Sequence, residues 1–219
     1  MDKHATIHTQ QMKITLEDGG IIGDLTLTPD AQALVIFAHG SGSGRMSPRN
    51  RSVAQLLQRN GLGTLLVDLL TVDEQAIDEQ TGELRFDIDL LCRRLGAAIL
   101  WAGQNEQTKH LKIALYGAST GAAAALMVAA EHPDNVFAVV SRGGRTDLAG
   151  DSIANVKAPV LMIVGGDDRI VLDLNSITSA SLRVEHNIEI IPNATHLFEE
   201  PGALERAAEL TCQWLLSHL

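Results

Sequence analysis

Cysteine is scarce: the 219 residues contain two, Cys92 and Cys212, far apart and each in an apolar, helix-like context. With no CxxC pair, the sequence argues against a redox motif or a thiolate zinc site, and both thiols are expected buried and reduced. Positive charge is also short. Lys and Arg number 17 against 27 Asp and Glu, for a net charge of −10. That balance argues against nucleic acid or an anionic membrane surface as partner. Long apolar runs are missing as well, since the longest, GAAAALMVAA, is too short to span a bilayer. The opening MDKHATIHTQQMK lacks the apolar centre of a secretory signal, so a cytoplasmic protein is expected. No histidine–carboxylate cluster has ligand spacing, so neither a metal nor another cofactor is expected.

What is present suits one α/β domain over residues 1–219. Hydrophobic content is 45% and charged content 20%, ordinary for a globular chain with an ample core. MKITLE, DGG and IIGDLTLT read as a hairpin with a glycine-rich turn. ALVIFAHG, GTLLVDLL, LKIALYG, VFAVVS, APVLMIVGG and HNIEIIP then read as buried strands alternating with helices. SPRNRSVAQLLQRNG carries helix signals at both ends, Ser47 and Pro48 at the start and Gly61 past the finish. A hairpin feeding such alternation predicts one mostly parallel sheet of about eight strands with helices on both faces. Ligands bind such sheets at the carboxyl ends of the strands, so the loops after strands matter most.

Four of those ends carry chemistry. Residues 117–121, GASTG, form a G-x-S-x-G turn between a strand and an alanine-rich helix. A sharp turn of that kind lifts the Ser119 hydroxyl above the sheet, and the flanking glycines let strand and helix approach. A serine needs a base, and the base needs an orienting acid; in this arrangement the order is Ser, acid, His. GGDDRIV offers Asp167 and Asp168, and NATHLFEEP offers His196, both after strands and in that order. His186 begins a strand, on the wrong edge. The loop HGSGSGRMSPRN lacks the spacing of a phosphate-binding glycine loop, because Arg45 stands where the third glycine belongs. It suits an oxyanion hole instead, with the N–H groups of Ser41 and Thr120 as donors and His39 shaping the loop.

With these motifs on it, the chain resembles an α/β-hydrolase, and within that superfamily the dienelactone hydrolase-like group. The resemblance runs from about Met12 and rests on HGSG at 39–42, GASTG, GGDDRIV and THLF at 195–198. It implies the α/β-hydrolase fold, and its G-x-x-D-x-x-V pattern, laid on Gly165 to Val171, selects Asp168 as the acid. Dienelactone hydrolase proper uses a cysteine nucleophile; Ser119 stands there in this chain, which points to a serine esterase type.

The expected function is hydrolysis of carboxylic ester-type bonds on a small acyl substrate through Ser119, His196 and Asp168. A thioesterase, lactonase or acyltransferase would use the same residues, and a binding protein of the same fold is the non-enzymatic alternative. No long helical insertion follows VFAVVS, so no large cap is expected. The acidic run DLLTVDEQAIDEQTGELR is expected to be a solvated loop, with partial overhang of the pocket as the alternative, since it follows a strand end. Arg45, Arg49, Arg142 and Arg145 all fall in carboxyl-edge loops. They are expected either to pair with acids such as Asp68 and Asp147 or to bind an anionic group of the substrate.

Overall fold

The computed structural model describes residues 8–219. Residues 1–7, the larger part of the opening segment read for a signal, lie outside the described residues. Eight strands form one sheet: β1 (Thr9–Leu16), β2 (Gly19–Thr26), β3 (Ala33–Ala38), β4 (Gly63–Val67), β5 (Lys112–Ala118), β6 (Val136–Arg142), β7 (Val160–Gly165) and β8 (His186–Ile191). Their order is β1-β2-β4-β3-β5-β6-β7-β8. β1 and β2 are antiparallel to their neighbours and the rest run parallel. This is the α/β-hydrolase architecture that the sequence predicts. The hairpin turn falls on Glu17 and Asp18, one residue earlier than expected, because Leu16 pairs with Gly19 and draws the glycines into β2.

Alternation along the central strands builds two cores. In β3, Leu34, Ile36 and Ala38 face one side, while Ala33, Val35 and Phe37 face the other. The first side is covered by α3 (Ile88–Gln104) and α4 (Thr120–Glu131), the second by α1 (Pro48–Arg59) and α6 (Ala203–Ser217). Ala122 to Ala125 of α4 are fully buried, and their small side chains let this helix lie flat on the sheet. Ser47 caps α1 by accepting the Asn50 N–H, and Asp87 caps α3 by accepting the Leu90 N–H. Each fully buried Leu or Ile of these cores contributes about 1.5–3 kcal/mol.

The acidic run behaves differently from expectation. Instead of a loop it forms α2 (Val72–Thr81), still solvated along most of its length, with Asp78 buried, and opened by a capping box between Thr71 and Glu74. Arg94 of α3, itself buried, ties Glu74 to Asp18 of the hairpin turn, and Arg85 clamps the buried Asp78 at 2.7 Å. After β6 comes a 3-10 segment, Thr146–Asn155, and then α5 (Arg169–Ser181) follows β7; no long helical cap interrupts the described residues here. Among the described residues, no helix is long and apolar enough to cross a membrane.

Candidate active site

Ser119 sits between β5 and α4 at φ 51°, ψ −120°, a backbone state that side chains rarely adopt. Such a residue costs on the order of 1–3 kcal/mol and persists only where its surroundings hold it. Three contacts do so. The Ser119 N–H donates to the Arg142 carbonyl at 3.2 Å, and its own carbonyl accepts from Ala122 and Arg145. The bracketing glycines are steric necessities. A Cβ on Gly117 would lie 2.4 Å from the Ala122 Cα, and one on Gly121 2.3 Å from the Ala38 carbonyl oxygen. Strand, turn and helix can therefore close only around glycine.

The Ser119 hydroxyl lies 3.3 Å from His196 Nε2, and His196 Nδ1 lies 2.6 Å from Asp168 Oδ2. With Nδ1–H donating to the carboxylate, Nε2 is left free to accept from the serine. Asp168 occupies the N-cap position of α5 but makes no capping bond, so its carboxylate is available to the histidine. Asp167 is exposed and engages Ala194 only through its backbone N–H. The structure thus brings Ser119, His196 and Asp168 together and leaves Asp167 out. Gly165 makes this meeting possible, since a Cβ there would lie 2.3 Å from the Ala194 carbonyl oxygen in the histidine loop.

Gly40 packs its Cα edge against the turn: a Cβ there would stand 3.0 Å from the Ser119 Cβ. Ser41 follows it and lines the same cavity as Ser119. Thr120 opens α4, where a helix N–H has no partner within the helix. The loop is pinned by His39, whose Nε2 accepts the Leu69 N–H at 3.0 Å while Nδ1 donates to the Gly40 carbonyl at 2.9 Å. An amide N–H can only donate, so these partners fix the tautomer and keep the ring neutral. Burial lowers the His39 pKa, against smaller upward pulls from the Gly40 carbonyl and Asp68.

A consequence follows for stability. A histidine whose folded pKa is depressed leaves stability unaffected above about pH 6.5, its unfolded value. Below that, the unfolded chain takes a proton that the native ring refuses. His39 should therefore remove up to about 1.4 kcal/mol per pH unit as pH falls from 6.5. Denaturant titrations of wild type and His39→Asn at pH 8, 6.5 and 5.5 check this. The wild type should lose more stability on acidification; parallel curves would show that His39 titrates alike in both states.

The arginines divide. Arg45 is turned away, held by Asp68 at 2.7 Å and by Asp24 at 3.3 Å, and it lines neither cavity described here. Arg145 makes a two-pronged contact with Asp147, both at 2.9 Å. These two are structural, because their charge is already spent on acids. Arg49 and Arg142 do line the cavity of about 160 Å³ beside Ser119 and His196. A larger cavity of about 710 Å³ adjoins the loop after β3 and is walled by Gln75, Ala76 and Glu79 of α2. It shares Ser41, Ser43, Ser47 and Arg49 with the first but does not reach Ser119. The sequence places this segment where it can overhang the pocket but does not mark it as helical, although T-V-D-E is a capping-box pattern, and it gives no sign of Asn50, a buried residue of the smaller cavity.

Comparison with known proteins agrees with the fold. A dienelactone hydrolase of known structure from Anabaena variabilis is 49% identical, with a TM-score of 0.96 over 97% of this chain and 99% of that one. Est1E from Butyrivibrio proteoclasticus superposes with a TM-score of 0.80 at 16% identity, over 95% of this chain and 98% of its own, a likeness of fold alone. Two Mycobacterium tuberculosis proteins, provisionally named phosphoribosyl transferases, are 46% identical over 213 residues. That match takes in 97% of this chain but 47% of theirs, so the chain spans about half the length of these curated relatives. The profile of the dienelactone hydrolase family matches residues 26–218, and the chain belongs to that family.

Proposed function

We propose that the protein is a serine hydrolase of carboxylic ester-type bonds. The observation that carries this reading is the continuous chain of contacts from the Ser119 hydroxyl through His196 to Asp168. In the proposed reaction, His196 Nε2 takes the serine proton as Oγ attacks the acyl carbon. The N–H groups of Ser41 and Thr120 hold the developing oxyanion. His196 then passes its proton to the leaving alcohol, and a water activated by the same nitrogen releases the acid. Asp168 keeps the imidazole in the useful tautomer and stabilises the imidazolium.

Thioesterase and acyltransferase chemistry would run through the same acyl-enzyme and differ in the leaving group and acceptor. The phosphoribosyl transfer in the name of the mycobacterial relatives is not carried over here, because the chain spans only 47% of their length. Cys92 and Cys212 are free and buried, which is compatible with the proposed cytoplasmic location. The reaction is tested by rapid-mixing hydrolysis of p-nitrophenyl acetate and butyrate. An acyl-enzyme predicts one equivalent of phenolate released no more slowly than the steady state and an acylated Ser119 trapped by acid quench. Turnover without any acylated Ser119 at quench times spanning the reaction would contradict the covalent route.

A further inference from the structure

Arg142 is 5% exposed, yet no carboxylate pairs with it among the described residues. Its Nε donates to the Tyr116 hydroxyl at 2.8 Å, one Nη2 proton points to Asn50 Oδ1 at 3.4 Å, and the guanidinium lies over the Phe198 ring. A guanidinium carries five N–H donors, so three are left without a protein partner. Burying a cation this way is costly unless a counter-charge arrives. Its neighbourhood is built for one. None of the residues lining the 160 Å³ cavity is acidic, although the chain as a whole carries a net charge of −10.

Three further features point the same way. Arg49 lines the cavity, and its partner Glu199 is 66% exposed at 3.3 Å, a pairing weak enough to give up. Helix α1, twelve residues long, begins at this wall with Ser47 as cap and has no acid in its first turn. Pro48 has no N–H and the Asn50 N–H is taken by Ser47, so this N-terminus offers the Arg49 N–H together with the partial positive charge of the helix end. Ser41, Ser43 and Ser47 line the same space. This is more donor capacity and more charge than a single carboxylate needs, and it suits three oxygens and two negative charges.

We propose that the cavity beside Ser119 binds a phosphate group carried by the substrate a few bonds from the scissile carbonyl, held by Arg142, Arg49 and the N-terminus of α1. The inference rests on the ester hydrolase reading for its reaction, but the anion site stands on its own geometry. The volume equals about five waters' share of liquid, which restricts the site to a compact group. Guanidinium forks match phosphate oxygens two at a time, and each charged hydrogen bond carries enough free energy to raise affinity about tenfold or more.

The test compares three methyl esters: that of phosphoglycolic acid, its neutral counterpart methyl methoxyacetate, and monomethyl succinate as the carboxylate. In wild type the phosphorylated ester should exceed the neutral one about 100-fold in kcat/KM, mainly through KM. In Arg142→Met that ratio should drop below about tenfold, whatever the absolute rates. A wild-type ratio near one, a ratio unchanged in Arg142→Met, or a carboxylate ester better than the phosphate ester would overturn the proposal. If Arg142→Met does not fold, calorimetric titration of inorganic phosphate into Ser119→Ala decides. Saturable, salt-sensitive binding that weakens in the Ser119→Ala/Arg49→Gln double variant supports the site, and its absence at millimolar phosphate refutes it. That titration also separates the two readings, since an anion site without hydrolysis of any ester would sink the reaction and spare the site.

Discussion

Ser119→Ala should lower kcat for acyl esters about a million-fold while leaving the fold intact. The size of the effect comes from removing the nucleophile of a group that acts as a unit, so that the remaining members contribute little by themselves. The fold is spared because the serine side chain has one recorded partner, His196 Nε2, whereas the backbone contacts that hold the turn belong to the peptide groups. His196→Ala should cost a comparable factor. Steady-state rates on purified protein, with unfolding curves alongside, give the answer. A Ser119→Ala variant that keeps a tenth of wild-type kcat, with contamination excluded, would mean that another group does the chemistry.

The second large effect separates two adjacent carboxylates. Asp168→Asn should reduce kcat about 10⁴-fold, because an amide offers the histidine the wrong partner and stabilises the wrong tautomer. Asp167→Asn should change kcat less than about threefold, since its side chain is exposed and only its N–H is engaged, with Ala194. The contrast is sharp because the two residues share sequence context and net charge. Equal losses in both variants would indicate a general electrostatic effect in place of the 2.6 Å contact between Asp168 and His196.

How much of this was legible in the sequence depended on whether the determining contacts were local. GASTG announced its turn because the motif is contiguous: Gly117 answers a constraint from Ala122 five residues on, while the one on Gly121 comes from Ala38 of β3 and could be read only through the motif. Strand ends followed from apolar runs, so Ser119, Asp168 and His196 could be set on one edge of the sheet before any distance was known. Choosing Asp168 over Asp167 needed a family pattern, since adjacent aspartates differ only in which way the backbone turns them. Helix α2 was hidden by its own acidity: Asp73, Glu74, Asp78 and Glu79 suggest solvent until Arg94, twenty residues beyond Glu74, is found against it. The arginines were ambiguous for the same reason. Arg45 is neutralised by Asp24 from β2 and Asp68 after β4, and Arg142 has no acid among the described residues, yet nothing near either residue in sequence separates the two cases.

The central claim is that Ser119 is an activated nucleophile, and labelling with a fluorophosphonate measures that most directly. The wild-type protein should be modified once per chain, with the adduct mapped by mass spectrometry to Ser119 in LYGASTGAAAAL. His196→Ala and Asp168→Asn should label far more slowly, and Ser119→Ala not at all. A wild-type protein that stays unlabelled while correctly folded, or one labelled equally fast without His196, would contradict the account.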